Sequence, residues 1–359
     1  MATMNRKRVL TGIKPTGIPH LGNYLGAIRP AIELTRQHDS FLFIADLHAL
    51  TITPDRAALR AQTHSVAATW LALGIDPDQT VFYRQSDVPE IPLLAWILSC
   101  VTPLGLLNRA HSYKDARAKD QTDDDINHGV FSYPVLMAAD ILALGADLVP
   151  VGKDQKQHLE ITQEAARKFN LRYGGGEEIL RVPEALIDER VMTIPGIDGQ
   201  KMSKSYENTI PLFLEDKQID KATKSIKTDS TPYGEPLVPE TDTVFQLFSL
   251  LAESPDRVEA LRSRYLTGRK DPTGSDAQEN YFGWGDAKKA LRDEIMAHFR
   301  APRDIYARYM QNPDEIDRLL TRGAARARAR AGDVLARVRE AVGLPLNVCP
   351  SGIDPEVSA

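Results

Sequence analysis

Four short strings in the 359-residue sequence carry side chains able to do chemistry. In Gly199-Gln200-Lys201-Met202-Ser203-Lys204-Ser205, two lysines stand three apart among small hydroxyl residues, after an Asp198-Gly199 turn. Compact ammonium charges on a loop suit a polyphosphate whose geometry changes during reaction. A solvated surface loop is the plain alternative, although the full string is rarer than that explains. In the segment Thr11 to Asn23, a strand end runs through a glycine-bearing turn into a helix start. Such a turn presents backbone N–H groups and the positive end of the helix dipole to phosphate. His20 and Asn23 fall on one side of that first turn, and Gly22 lets a flat base approach the backbone. Taken alone, the segment slightly favours an ordinary turn with a satisfied surface histidine, because short glycine motifs are common.

The third string, Ser132 to Leu142, begins with Ser132 as a helix cap and Pro134 in the first turn. On a helix, Tyr133, Met137, Asp140 and Ile141 share one face. A carboxylate on that apolar face requires a donor. The donor is either a core arginine or lysine, or an N–H of a substrate. The fourth string, Val149 to His158, is again strand end, glycine turn and helix start, with Gly152 and Asp154 sufficient to make a capped turn.

These strings need a frame that brings strand ends together. Short apolar runs at Arg8–Gly12, Phe41–Ala45 and Val81–Tyr83 alternate with helical patterns, one from near Asn23 and one from Thr53-Pro54-Asp55 through Leu73. That alternation predicts an α/β, Rossmann-like, doubly wound parallel sheet with ligands at the carboxyl ends of its strands. Asp46 and His48 follow the second strand at that edge. Arg109 to Asn127 is polar and reads as a connecting insertion, about 105–130. Beyond Ser205 strand signals become rare. The expected division is a catalytic domain at 1–206, an all-α helical domain at 207–345 and a frayed tail at 346–359. Arg322, Arg326 and Arg330 form a stripe on that last helical stretch, fit for RNA phosphates or for plain solvation.

Composition sets limits. Hydrophobic residues make up 42% and charged residues 26%, as in a soluble globular protein. No apolar run approaches the roughly 18–20 residues of a membrane span. Met1 to Arg8 lacks the apolar stretch of a secretory signal, and the two cysteines, Cys100 and Cys349, form no metal-binding pattern. A cytoplasmic protein is expected. The net charge of −5 gives no general attraction for nucleic acid, so any RNA contact must be local.

Pro19-His20-Leu21-Gly22-Asn23, followed far along the chain by Lys201-Met202-Ser203-Lys204-Ser205, resembles the paired HIGH and KMSKS signatures of class I aminoacyl-tRNA synthetases. The resemblance implies that Lys14, Pro15, Thr16, His20, Gly22 and Asn23 line an ATP site. It implies that Lys201, Met202, Ser203, Lys204 and Ser205 close over the pyrophosphate, and that His20, Asn23, Lys201 and Lys204 act in catalysis. His20 and Lys14 stand where threonine and glutamine are frequent in the family. The Ser132–Leu142 string resembles the specificity helix of the tryptophan branch, in which the aspartate accepts the indole N–H. Tyrosine enzymes carry Gln at the position of Met137 and usually Tyr at that of Ala139.

In the fourth string, Gly152, Lys153 and Asp154 match the family's nucleotide-binding turn, and Gln155 its contact to the substrate amino group. Lys153 replaces a commoner glutamate, while the Gln155-to-His158 continuation matches the tryptophan branch. By the same resemblance Val191 packs on adenine, and Tyr133, Met137, Asp140 and His48 bind tryptophan. Arg109 and Lys114 are further phosphate candidates.

The implied reaction is ATP-dependent formation of tryptophanyl-adenylate, then transfer to the 2′ hydroxyl of the terminal adenosine of tRNA(Trp). Mg2+ is expected on the ATP phosphates rather than in a protein metal site, and the family implies a homodimer. Three rivals remain open at this point: a tyrosyl-tRNA synthetase, a small-molecule adenylyltransferase and a non-catalytic RNA- or amino-acid-binding paralogue.

Overall fold

A computed structural model describes residues 6–15, 19–52, 55–110, 126–152, 156–186 and 194–345. Five parallel strands form one sheet: β1 (Arg8–Ile13), β2 (Asp39–Ile44), β3 (Val81–Arg84), β4 (Leu148–Pro150) and β5 (Glu184–Leu186), in the order β3-β2-β1-β4-β5. The three strands expected from apolar runs are all present. Their side chains alternate between two cores, as the pleat requires. Leu42, Ile44 and Phe82 point to one, and Leu10, Phe41, Phe43, Val81 and Tyr83 to the other. The strand order reverses beside β1, which pairs with β2 on one side and β4 on the other. A crevice opens at the carboxyl ends of strands at such a switch point.

The first core is covered by α1 (Leu21–Asn23), a π-helical turn (Tyr24–Ile28), α2 (Arg29–Thr35) and α4 (Arg56–Ala72). Asp55 caps α4 by accepting the Ala58 N–H at 3.0 Å, and Trp70 of that helix stacks on Phe82. Between them, α3 (Asp46–Ala49) follows β2. The second core takes α5 (Glu90–Ser99), α6 (Leu104–Leu107), α7 (His128–Ala143) and α8 (Lys156–Tyr173).

Helix α7 corrects one expectation. It starts at His128, with Asn127 accepting the Val130 N–H at 3.1 Å, so Ser132 is not its cap. Pro134 lies inside the helix, where it leaves one carbonyl without its usual donor. Ser132 instead donates its hydroxyl to the His128 carbonyl at 2.8 Å. The Asn cap, one turn earlier in a polar stretch, overrides the Ser–Pro signal.

After β5 the described chain is helical: α9 (Asp216–Lys224), α10 (Thr243–Leu251), α11 (Pro255–Thr267), α12 (Trp284–Gln311) and α13 (Pro313–Ala341). Helix α12 packs on α4, where Tyr306 and Ser65 share a hydrogen bond of 2.9 Å. Helix α13 returns to the sheet. Its Ala324, Ala327, Ala331, Val334 and Val338 join the second core and cover the edge strand β3. The approach is close: a Cβ on Gly323 would lie 1.8 Å from the Phe82 carbonyl oxygen. Asp317 of the same helix accepts Arg84 Nη1 at 2.7 Å and pairs with His64 Nε2 at 3.1 Å.

The arginine stripe lies at the surface, with Arg322 and Arg326 exposed, and each of its guanidinium groups has a partner within the chain. Arg322 pairs with Asp78 at 2.7 Å, and Arg326 donates to the Pro77 carbonyl at 3.1 Å. Arg330 donates to the Leu144 carbonyl at 3.3 Å. Each guanidinium binds a loop of the sheet region.

Candidate active site

A cavity of about 410 Å³ lies at the switch point. The ends of β1 and β4 contribute Thr11, Gly12, Lys14, Val149 and Gly152, and α7 contributes Tyr133, Met137, Asp140 and Ile141. The face read from helical spacing thus lines one space. Ala139 does not; it is buried in the second core. Gly12 is required by its neighbour, because a Cβ there would sit 2.5 Å from the Phe43 ring, itself part of the wall.

Asp140 is fully buried. Among the described residues neither arginine nor lysine is bonded to it. Gln85 Nε2 donates to its Oδ1 at 2.8 Å and Oδ2 at 2.9 Å, and His48 Nε2 lies 3.0 Å from Oδ2. Burial pushes the carboxyl's pKa up, while the hydrogen bonds from His48 and Gln85 pull it down. Tyr133 sets its ring edge against His48, with centroids 5.8 Å apart, and its hydroxyl lies 2.9 Å from His158 Nε2. Lys14 donates to the Thr51 hydroxyl at 3.1 Å, and Thr51 in turn donates to the His48 carbonyl at 2.8 Å. Burial lowers the Lys14 pKa.

Gln85 and Thr51 were not singled out from the sequence. Gln85 directly follows β3, at the strand edge where such sheets present ligand groups, so position alone offered a signal.

The turn before α1 and the lysine loop meet directly. His20 caps α1: its Nδ1 accepts the Asn23 N–H at 3.3 Å, and Asn23 Oδ1 accepts the His20 N–H at 3.0 Å. Burial, and then repulsion from Lys204, push the His20 pKa down to about 4. The ring is neutral at pH 7, and since Nδ1 accepts, Nε2 carries the proton as a donor. Gly22 donates its N–H to Met202 Sδ at 3.1 Å. A Cβ on Gly22 would lie 3.0 Å from the His20 ring and 3.2 Å from Met202 Cβ. Met202 is buried beneath the turn and anchors the loop. Backbone bonds from Leu21 to Ile210 and from Leu212 to Pro19 fasten the same two segments.

Lys201, Lys204 and Ser205 are exposed, with local desolvation drawing the Lys204 pKa down. The loop's shape comes from Asn208, a buried residue that carried no local sequence signal. Its Oδ1 accepts the Ser203 N–H at 2.8 Å, and its Nδ2 donates to Asp198 at 2.8 Å and to the Lys201 carbonyl at 3.1 Å. Gly196 must lack a Cβ, which would come within 2.4 Å of the Asn208 amide.

Pro15 follows Lys14 and is buried. Thr16, Lys114, Lys153, Asp154, Gln155 and Val191 lie outside the described residues. Arg109 is exposed and donates to the Gly105 carbonyl at 3.2 Å.

A switch-point cavity with a buried carboxylate, together with a histidine-capped turn that meets a lysine loop, agrees with the family comparison. The model for class I tRNA synthetases of the tryptophan and tyrosine type (W and Y) matches residues 3–300. The chain belongs to that family. Its similarity falls on the tryptophan side. It is 46% identical to the tryptophan--tRNA ligase of Pseudomonas aeruginosa over 357 residues, spanning 96% of this chain and 77% of the relative. It is 42% identical to the tryptophan--tRNA ligase of Neisseria meningitidis, spanning 95% of this chain and 99% of the relative. The tryptophanyl-tRNA synthetase of Campylobacter jejuni, solved with ADP and tryptophan, superposes with a TM-score of 0.85. That structure is 41% identical and covers 94% of this chain and 100% of its own.

Proposed function

We propose that the chain activates L-tryptophan with ATP to tryptophanyl-adenylate and transfers the tryptophanyl group to the 3′ terminal adenosine of tRNA(Trp). The observation that carries the substrate is Asp140, a buried acceptor at the wall of an apolar cavity beside Met137. An indole N–H completes its hydrogen bonding, whereas a phenylalanine ring leaves it short of a donor.

In the activation step a tryptophan carboxylate oxygen attacks the α-phosphorus of ATP. The new bond is carboxylate oxygen to phosphorus, the broken one is α-phosphorus to bridging oxygen, and pyrophosphate leaves with the electron pair. Alignment and charge stabilisation carry this chemistry. His20 serves as a neutral N–H donor, while Lys201 and Lys204 supply positive charge for the departing pyrophosphate. Among the described residues no group of three or more His, Cys, Asp or Glu side chains gathers for a metal. Mg2+ held on the ATP oxygens would neutralise phosphate charge in this reading. Thr16, Lys153, Asp154 and Val191 complete the nucleotide site in this reading, and Gln155 the tryptophan amino contact.

The helical region 207–345 is assigned to the tRNA anticodon. Among the described residues no helix is long and apolar enough to cross a membrane, and we assign the protein to the cytoplasm. We assign a homodimer as well, for which exposed Trp96 on α5 and Leu104 on α6 offer apolar surface. Light scattering tests it: a mass of one chain removes the dimer. The activity itself is tested by ATP–pyrophosphate exchange, expected with tryptophan, absent with tyrosine and absent without an amino acid.

A further inference from the structure

Gln85 is fully buried in the 3₁₀ turn Gln85–Asp87 directly after β3. Its amide is engaged at both ends. Oε1 accepts the backbone N–H of His48 at 3.3 Å, which fixes the orientation of the group. The Nε2 end therefore faces Asp140 and donates to both carboxylate oxygens. The flanking chain is anchored too. Arg84 is bound to Asp87 at 2.9 Å and to Asp317 of α13. Ser86 donates its N–H to Asp46 at 3.0 Å and its hydroxyl to the same carboxylate. Few side-chain conformations are open to a glutamine held in this way.

A carboxyl group has two forms with opposite hydrogen-bonding capacity. Ionised, Asp140 only accepts; protonated, it presents an O–H and can no longer receive an N–H at that oxygen. Complete burial favours the protonated form. The titratable groups around it are His48 and Asp46 on α3, Tyr83 on β3, Tyr133 on its own helix and Lys14 after β1. Among them His48 opposes protonation, and Asp46 and burial promote it. Gln85 is uncharged at every pH, so its donors hold the ionised form without titrating themselves.

We propose that Gln85 is a positioning residue for substrate selection: by donating to both Asp140 oxygens it holds the carboxylate as an acceptor aimed at the indole N–H. This rests on the tryptophan reading of the cavity. Without those donors Asp140 becomes neutral over more of the working pH range. Tryptophan then loses its partner, while phenylalanine, which never had one, loses nothing, and the preference between the two narrows.

The test is ATP–pyrophosphate exchange by the full chain and by Gln85→Met and Gln85→Glu, as a function of pH. Absence of tryptophan-dependent exchange in the unaltered chain would reject the tryptophan reading itself, before any variant is compared. Given that exchange, Gln85→Met is expected to raise KM for tryptophan about ten- to hundredfold. Both kcat and KM for ATP stay within about twofold, and the acid limb of kcat/KM for tryptophan moves to higher pH. Gln85→Glu keeps the size of the side chain but can donate only when protonated. Its kcat/KM is expected to rise as pH falls from about 8 to about 6, opposite to Gln85→Met, and this holds as a test even if Gln85→Met does not fold. An unmoved acid limb in Gln85→Met with equal losses for ATP and tryptophan would overturn the proposal. So would a Gln85→Glu profile that falls with pH.

Discussion

Asp140 is buried on a long helix and held by Gln85 and His48, each fixed by its own element, whereas Lys201 and Lys204 are exposed on a loop. At the first end two side chains already hold the carboxylate, and few side-chain rotations remain. At the second the backbone is pinned, through Asn208 and through Met202 under Gly22, while the two lysine residues are exposed. In the proposed reading the difference suits what each end recognises. An indole is rigid and does not change during activation, so a preorganised acceptor suits it. A triphosphate changes shape and charge distribution as the bond breaks, so charges on flexible stems suit it.

The sharpest way to break this contrast is Asp140→Ala. It removes the acceptor and leaves the donors of Gln85 and His48 unpaired, and kcat/KM for tryptophan is expected to fall about a thousandfold. KM for ATP should scarcely change; an equal loss for both substrates would show that the carboxylate supports the whole fold. Next come Lys201→Ala and Lys204→Ala. Each is expected to slow adenylate formation about a hundredfold in single-turnover measurements, with KM for tryptophan within about threefold. Parallel losses would merge the two ends into one.

A smaller effect is expected at a distance from both. Gly323→Ala puts a methyl group into the Phe82 carbonyl of β3 and should cost about 2 kcal/mol in denaturant unfolding. An unchanged midpoint would mean that α13 does not bear on the sheet edge.

The smallest effect at neutral pH belongs to His20. Its pKa is depressed to about 4 from 6.5, so the unfolded chain binds more protons between those values. The stability it contributes is fully present above about pH 6.5 and is lost as pH falls through about 4. His20→Asn, which keeps a helix cap, should flatten that part of the stability–pH curve. A curve unchanged by the substitution would mean that His20 titrates normally.

The strands and the helix face of Asp140 were legible because they rest on local pattern: a short apolar run at Phe41–Ile44, and three-to-four spacing from Tyr133 to Ile141. The two strings assigned to ATP were legible as strings, and the structure brings them into contact through Gly22 and Met202. Gln85 and Asn208 were not, because their importance lies in partners 55 and 10 residues away and in no local pattern. The partners of the α13 arginines were not legible for a related reason. A stripe of Arg322, Arg326 and Arg330 looks the same whether it faces RNA, water or carbonyl groups. What tells them apart is the neighbouring small-residue face, Gly323, Ala324, Ala327 and Ala331, which lets the helix lie directly on β3. The early start of α7 was hidden because Asn127 sits among polar residues that read as loop.

The account stands most directly on amino-acid-dependent ATP–pyrophosphate exchange by the purified full chain. Exchange that requires tryptophan, is not supported by tyrosine and falls away in Asp140→Ala is the predicted result. Exchange supported by tyrosine in place of tryptophan, or undiminished in Asp140→Ala, would contradict it.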